Sequence, residues 1–277
     1  MEITILGSAG SLKAPRIGCE CRVCTELREN HLIRGGPSIF INDLNLLIDT
    51  PDDIFCLLNK NNINKISSVF YSHWHHDHVA GMALFENINK ELNNCLGDEG
   101  TINHEVKLFI PKDLLKVLEQ NTYFKEVLVK RKYVKPVVGE YHDLNGFSLE
   151  IIRMCDLPCY CLIISKDEKK VAICMDHGKY LNDIKDKLDN LDLLICNAGF
   201  FNKELKGLDV ISEEHPLNKT TSFESTMKLI KEIKPKKTVF LHIEELWNKT
   251  LGDFEAIEKE HSKYNIKFAM DGLKINL

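Results

Sequence analysis

Along the chain, short apolar and β-branched runs recur between stretches whose apolar residues fall three and four apart. The runs at 3–6, 38–41, 46–49, 69–72 and 107–110 each end in polar or turn residues, which predicts strands. A later set at 147–152, 160–165, 171–176, 193–197, 238–242, 266–270 and 273–277 repeats the pattern. Helical spacing occupies 79–92, 112–119, 180–188, 223–233 and 254–264. The early strands adjoin through hairpin-like links and the later ones alternate with helices. Two mixed sheets with helices outside therefore fit better than one parallel doubly wound sheet. The expected fold is α/β (α+β), an αββα sandwich built as one domain over 1–277. The stretch 86–104, with Asn93-Asn94 and Gly97-Asp98-Glu99-Gly100, reads as a surface excursion suited to substrate contacts.

Charge narrows the choice of partner. Lys and Arg total 36 against 41 Asp and Glu, a net −5, so no broad basic surface compels a nucleic-acid or membrane partner. The first residues lack a cationic stretch followed by an apolar run, and no apolar segment approaches bilayer-spanning length, which points to the cytoplasm. Of ten cysteines, Cys161, Cys174 and Cys196 fall in expected strands, as reduced buried thiols do. Cys19, Cys21 and Cys24 differ, since they crowd one short loop.

The main chemical signal is Ser72-His73-Trp74-His75-His76-Asp77-His78, which follows the apolar run Val69-Phe70-Tyr71. Imidazole and carboxylate ligands suit zinc, manganese or iron, and alternate residues of an extended segment point the same way. His73 and His75 can thus grip one ion, while Asp77 and His78, past the turn, reach a second. This His-x-His-x-Asp-His run after a strand resembles the signature of the metallo-β-lactamase superfamily. The resemblance implies that Asp176, at the end of one strand, bridges two metals and that His242, at the end of another, serves the second. It also makes Asp49 the acid that orients the histidine turn. The third histidine of the first metal would fall just before the strand at 160–165, where the chain reads Arg153-Met154-Cys155-Asp156-Leu157-Pro158-Cys159. Cys155 or Asp156 would have to substitute for it. A further histidine that in related phosphodiesterases acts on the attacked phosphate matches Thr221, with His215 on the preceding loop as the alternative.

The Cys19-x-Cys21-x-x-Cys24 element, with Arg34 and Ser38 after it, resembles a subgroup that includes the cyclic phosphodiesterase of bacterial phosphonate breakdown and a protein of pyrroloquinoline quinone biosynthesis. Three thiols in one loop can share a tetrahedral zinc once a fourth ligand arrives. The resemblance puts Glu245 in that place, three residues after His242, and His31 competes for it. Two active-site divalent metals, zinc or manganese with iron as a further option, and one structural zinc are therefore expected. The implied activity is hydrolysis of a small or cyclic phosphodiester, with Asp77 central to catalysis, and a homodimer is compatible with it. A nuclease of the transfer-RNA-processing type is disfavoured by the acidic total, and thioester or lactam hydrolysis shares the fold. A binding protein with impaired catalysis is the competing class, because the third histidine is missing and Thr221 replaces another.

Overall fold

The computed structural model describes residues 1–89, 105–201 and 221–277. Strands β1 (Glu2–Gly7), β2 (Ser38–Ile41), β3 (Leu46–Ile48), β4 (Ser68–Phe70), β5 (Val106–Ile110) and β6 (Val134–Val138) lie in the first sheet. Strands β7 (Tyr141–Leu144), β8 (Phe147–Arg153), β9 (Tyr160–Lys166), β10 (Lys169–Cys174), β11 (Leu193–Asn197), β12 (Thr238–Leu241) and β13 (Ile266–Phe268) make the second. The chain then returns to the first sheet as β14 (Lys274–Asn276), antiparallel to β1. Each sheet is antiparallel at its start and parallel toward its far strands: β3, β4, β5 and β6 run parallel in one, β10, β11, β12 and β13 in the other. These are the two mixed sheets that the sequence predicts.

Alternation along the strands builds two cores. Ile173, Leu193, Ile195, Val239 and Leu241 face the first sheet and join Ile3, Ile39, Ile48, Val69 and Leu108 in one buried cluster. Their neighbours Ala172, Cys174, Leu194, Cys196 and Phe240 point the other way, onto the helix layer. Truncating an inward Ile or Leu here would cost about 2–5 kcal/mol. Cys161, Cys174 and Cys196 are all fully buried in the outer cluster, and burial pushes the Cys174 thiol up.

The helices are α1 (Arg22–Glu29), α2 (Ile54–Lys60), α3 (His76–Val79), α4 (Leu84–Asn89), α5 (Lys112–Leu118), α6 (Phe223–Ile233) and α7 (Leu251–Glu260). The helix expected over 79–92 instead starts at His76 and breaks after one turn. Gly81 there abuts the Pro51 backbone, where a Cβ would find no room. Residues 86–89 of the expected excursion belong to α4, and the rest lies outside the described residues. The stretch expected at 180–188 is a run of 3-10 turns, Gly178–Lys187, interrupted at Ile184. The periodicity does not show β6 or β7, because both are edge strands: β6 carries Pro136, and β7 shows no fully buried face. Among the described residues no helix is long and apolar enough to cross a membrane.

Candidate metal centre

Four strand ends meet at one rim. β4 runs out into Ser72 and the histidine turn, β3 into Asp49, β10 into Asp176 and His177, and β12 into His242. Asp49, His177 and His242 all adopt left-handed backbone, with φ of 59°, 58° and 55°. Such conformations cost a non-glycine residue of order 1–3 kcal/mol and cluster where a side chain must be aimed. Here each one swings a polar side chain off a strand tip toward the rim.

Two ligand groups adjoin there. His73, His75, Asp176 and His177 present nitrogen and oxygen atoms that all lie within 4.8 Å of one another, and so do Asp77, His78 and His242. The rings of His73 and His78, one from each group, have centroids 4.0 Å apart. Asp77 Oδ2 stands 3.2 Å from His78 Nε2 and 3.3 Å from His242 Nε2. Asn197, at the end of β11, donates from Nδ2 to Asp176 Oδ1 at 3.2 Å and lies 3.4 Å from His242 Nδ1, so it spans the two groups.

The histidines are held by one ring nitrogen and offer the other. Asp49 accepts from the Ser72 backbone N–H at 2.8 Å, from Ser72 Oγ at 2.6 Å and from His78 Nδ1 at 2.6 Å. Ser72 Oγ, its proton given to Asp49, accepts from His73 Nδ1 at 3.0 Å. His242 Nδ1 faces Glu244 Oε1 at 3.4 Å. In all three rings Nε2 is then buried without hydrogen-bond geometry to any partner, and those of His78 and His242 face only Asp77 Oδ2. A buried polar atom left so costs about 1–3 kcal/mol, and a bare imidazole nitrogen beside carboxylates is what a divalent cation coordinates. The residues present thus fit a pair of metal ions.

Electrostatics agree with that fit. Burial opposes ionisation of Asp77, but its contacts with His242 and His78 hold the carboxyl well below its usual range. Burial likewise opposes ionisation of Asp176, and the surrounding imidazoles, His242 first, outweigh it. Burial drives His73 well down, keeping it neutral. His78 would also be lowered by burial, yet the Asp49 charge raises it to about 10.

The third imidazole beside His73 and His75 is His177, adjacent to Asp176, and not Cys155. The Cys155 thiol turns to the Leu157 carbonyl at 3.6 Å, and Arg153 holds the carbonyls of Cys155 and Asp156 while Asp156 itself is exposed. His177 escapes a search by strand position because it follows the acid at a strand end, where only its left-handed backbone turns it back. Thr221 lines the cleft, but its hydroxyl donates to the Ser222 carbonyl and is no acid or base. His215 lies outside the described residues.

The N-terminal thiols gather around one carboxylate oxygen: Glu245 Oε1 lies 3.4 Å from Cys19 Sγ, 2.8 Å from Cys21 Sγ and 3.7 Å from Cys24 Sγ. Together the four form a third ligand group. His31 stands outside it, exposed past the end of α1. Burial pushes the Cys24 thiol up to about 12, so a cation bound here must displace its proton. The group is tied to the rim through the chain, because Glu245 follows Glu244, which also takes hydrogen bonds from Ser11 N at 2.9 Å and Ser11 Oγ at 3.1 Å. Gly10 permits this approach, since a Cβ there would stand 2.8 Å from His242 Nδ1.

Known proteins place this architecture. A diphosphatase of the PhnP family overlays the whole chain and 97% of its own with a TM-score of 0.74 at 22% identity. Zn(2+)-bound PqqB from Methylobacterium extorquens does so over all of both chains, also at 0.74, with 17% identity. An octanoyltransferase of Porphyromonas gingivalis is 33% identical over 249 residues, and the chain spans 46% of its length. The family model described as the beta-lactamase superfamily domain matches residues 45–243. That match takes in the histidine turn, Asp176 and His242 together with strands β3 to β12 of the two mixed sheets, and it makes this chain a member of the β-lactamase superfamily with the metallo-β-lactamase fold.

Proposed function

We propose that the protein is a metal-dependent hydrolase of small phosphodiesters, cyclic or linear, and the observation that carries this reading is the pair of adjoining ligand groups at one cleft. His73, His75, Asp176 and His177 would hold one divalent ion, and Asp77, His78 and His242 the other, zinc or manganese by donor type. Such a pair supplies Lewis acidity and a water of lowered pKa, and it offsets charge on phosphoryl oxygens. The chain's own part is orientation. Asp49 fixes His78 through Nδ1, Ser72 fixes His73, and Asn197 holds Asp176 toward both groups. Asp176, expected from the resemblance to bridge the ions, sits in the first group with its charge felt by His242 and His78 of the second.

Cys19, Cys21, Cys24 and Glu245 would bind a structural zinc that pins the N-terminal loop beside the cleft, where Ser11 forms part of the wall. This is the subgroup reading, with Glu245 in the fourth place. The reading takes a small-molecule substrate, which suits the cleft and the net charge of −5, and keeps the cytoplasm as its expected compartment. The second reading, a binding protein of the same fold, is favoured only by Thr221, which offers no acid or base at the cleft.

Turnover of bis-p-nitrophenyl phosphate by protein loaded with zinc or manganese tests the proposal. Hydrolysis that disappears on chelation and returns on reloading supports it. A fully loaded protein that turns over no phosphodiester, cyclic nucleotides included, would leave the binding role.

A further inference from the structure

The cleft, about 520 Å³, has one wall made of Gly178, Lys179 and Tyr180, directly after His177. Lys179 is half-buried there, with its Nζ 4.5 Å from the centre of the Tyr180 ring. Lysines further along the same segment are paired: Lys185 with Glu232, and Lys187 with Glu150 at 3.0 Å. Lys179 has no carboxylate within ion-pair reach among the described residues, and neither it nor the Tyr180 hydroxyl makes a hydrogen bond there. A half-buried lysine in a cleft rich in acids and imidazoles, yet paired to none of them, leaves its charge available to a ligand. The position expected to contact the attacked group, Thr221, brings only a methyl group to this side, 3.3 Å from where a Gly178 Cβ would stand.

We propose that Lys179, seated on the Tyr180 ring, is the anion-binding residue of the cleft: it contacts a phosphoryl oxygen of the substrate and so selects anionic esters over neutral acyl compounds. This rests on the hydrolase reading above and narrows its substrate class. A charge-assisted hydrogen bond to a phosphoryl oxygen is strong enough to shift affinity about tenfold to hundredfold. Tyr180 restricts the stem, because an ammonium over an aromatic face loses less freedom than one in open water.

Lys179→Gln and Lys179→Arg in the metal-loaded full chain test this with two ester probes and one binding probe. The expected result for Lys179→Gln is a KM for bis-p-nitrophenyl phosphate raised about tenfold or more at unchanged metal content. Turnover of the neutral ester p-nitrophenyl acetate should stay within about twofold, and the arginine variant should recover the diester. Equal losses on both esters, or a diester KM within about twofold of the parent, would overturn the proposal. Inorganic phosphate binding, read by calorimetry, separates it from the hydrolase reading. Phosphate bound by the parent and weakened in Lys179→Gln sustains the Lys179 assignment even if no diester is turned over. Equal binding by both, or none by the parent, removes it.

Discussion

Asp49 Oδ2 accepts a hydrogen bond from His78 Nδ1 at 2.6 Å with both side chains wholly shielded from solvent. The same carboxylate takes both polar hydrogens of Ser72, so one acid sets the direction of His78 and, through Ser72 Oγ, of His73. It therefore steadies one imidazole in each ligand group without belonging to either.

Asp49→Asn keeps the shape and removes the charge. Partners of this kind are worth about tenfold to hundredfold in metal affinity. We expect a loss of that size in competition with a chromogenic chelator, with secondary structure by circular dichroism unchanged. Parent-like affinity would mean that the turn is rigid without the acid.

His177 and Cys155 separate two accounts of the first ligand group. His177→Ala should lower the metal bound at the centre and reduce hydrolysis together, whereas Cys155→Ala should leave both as in the parent, because its thiol faces the Leu157 carbonyl. Cobalt substitution followed by absorption spectroscopy reads the difference. A thiolate charge-transfer band from the centre that vanishes in Cys155→Ala would restore the cysteine.

The contrast between those two residues also marks how far sequence alone reaches. Alternation and apolar runs locate twelve of the strands because those strands bury at least one face, as Leu193 to Asn197 does on both. They fail at β6 and β7, where an edge strand with Pro136 or an exposed hairpin has no burial pattern to read. The residues at strand tips, His73, Asp176 and His242, are legible because a polar residue closing an apolar run has to face solvent or a site. His177 is not, since its ligand geometry depends on a φ of 58° that nothing in Asp176-His177-Gly178 announces beyond the neighbouring glycine. Asn197 was legible only as a strand end, and its hydrogen bond to Asp176 comes from the parallel pairing of β10 with β11.

Proton release should accompany metal uptake. The Asp49 charge outweighs burial to hold His78 at about 10, so its ring carries a second proton at neutral pH in the ion-free protein, and Asp176 likewise raises His242, which holds its proton more tightly than a free imidazole does. Only a neutral ring coordinates a cation, and the competing proton gains as pH falls. Affinity should therefore weaken by about tenfold to hundredfold per unit between about pH 8 and about pH 6. Calorimetry in buffers of different ionisation enthalpy should record about one to two protons released per chain. Affinity independent of pH would contradict the pairing.

At the N-terminal loop, Cys21 both approaches Glu245 and caps α1, its sulfur accepting from Cys24 N. Cys21→Ser should release the ion of that group and lower Tm by several degrees. Glu245→Gln, which leaves the cap untouched, should lose the same ion. Retention of metal in both variants would reduce the group to a cluster of reduced thiols.

The most direct test is elemental metal content per chain, read beside bis-p-nitrophenyl phosphate turnover on the same samples of the parent and Asp77→Ala. The account predicts about three equivalents in the parent, one for each ligand group, with loss of about one and a fall in turnover of about a hundredfold or more in the variant. Asp77→Ala matching the parent in both metal and turnover would contradict it.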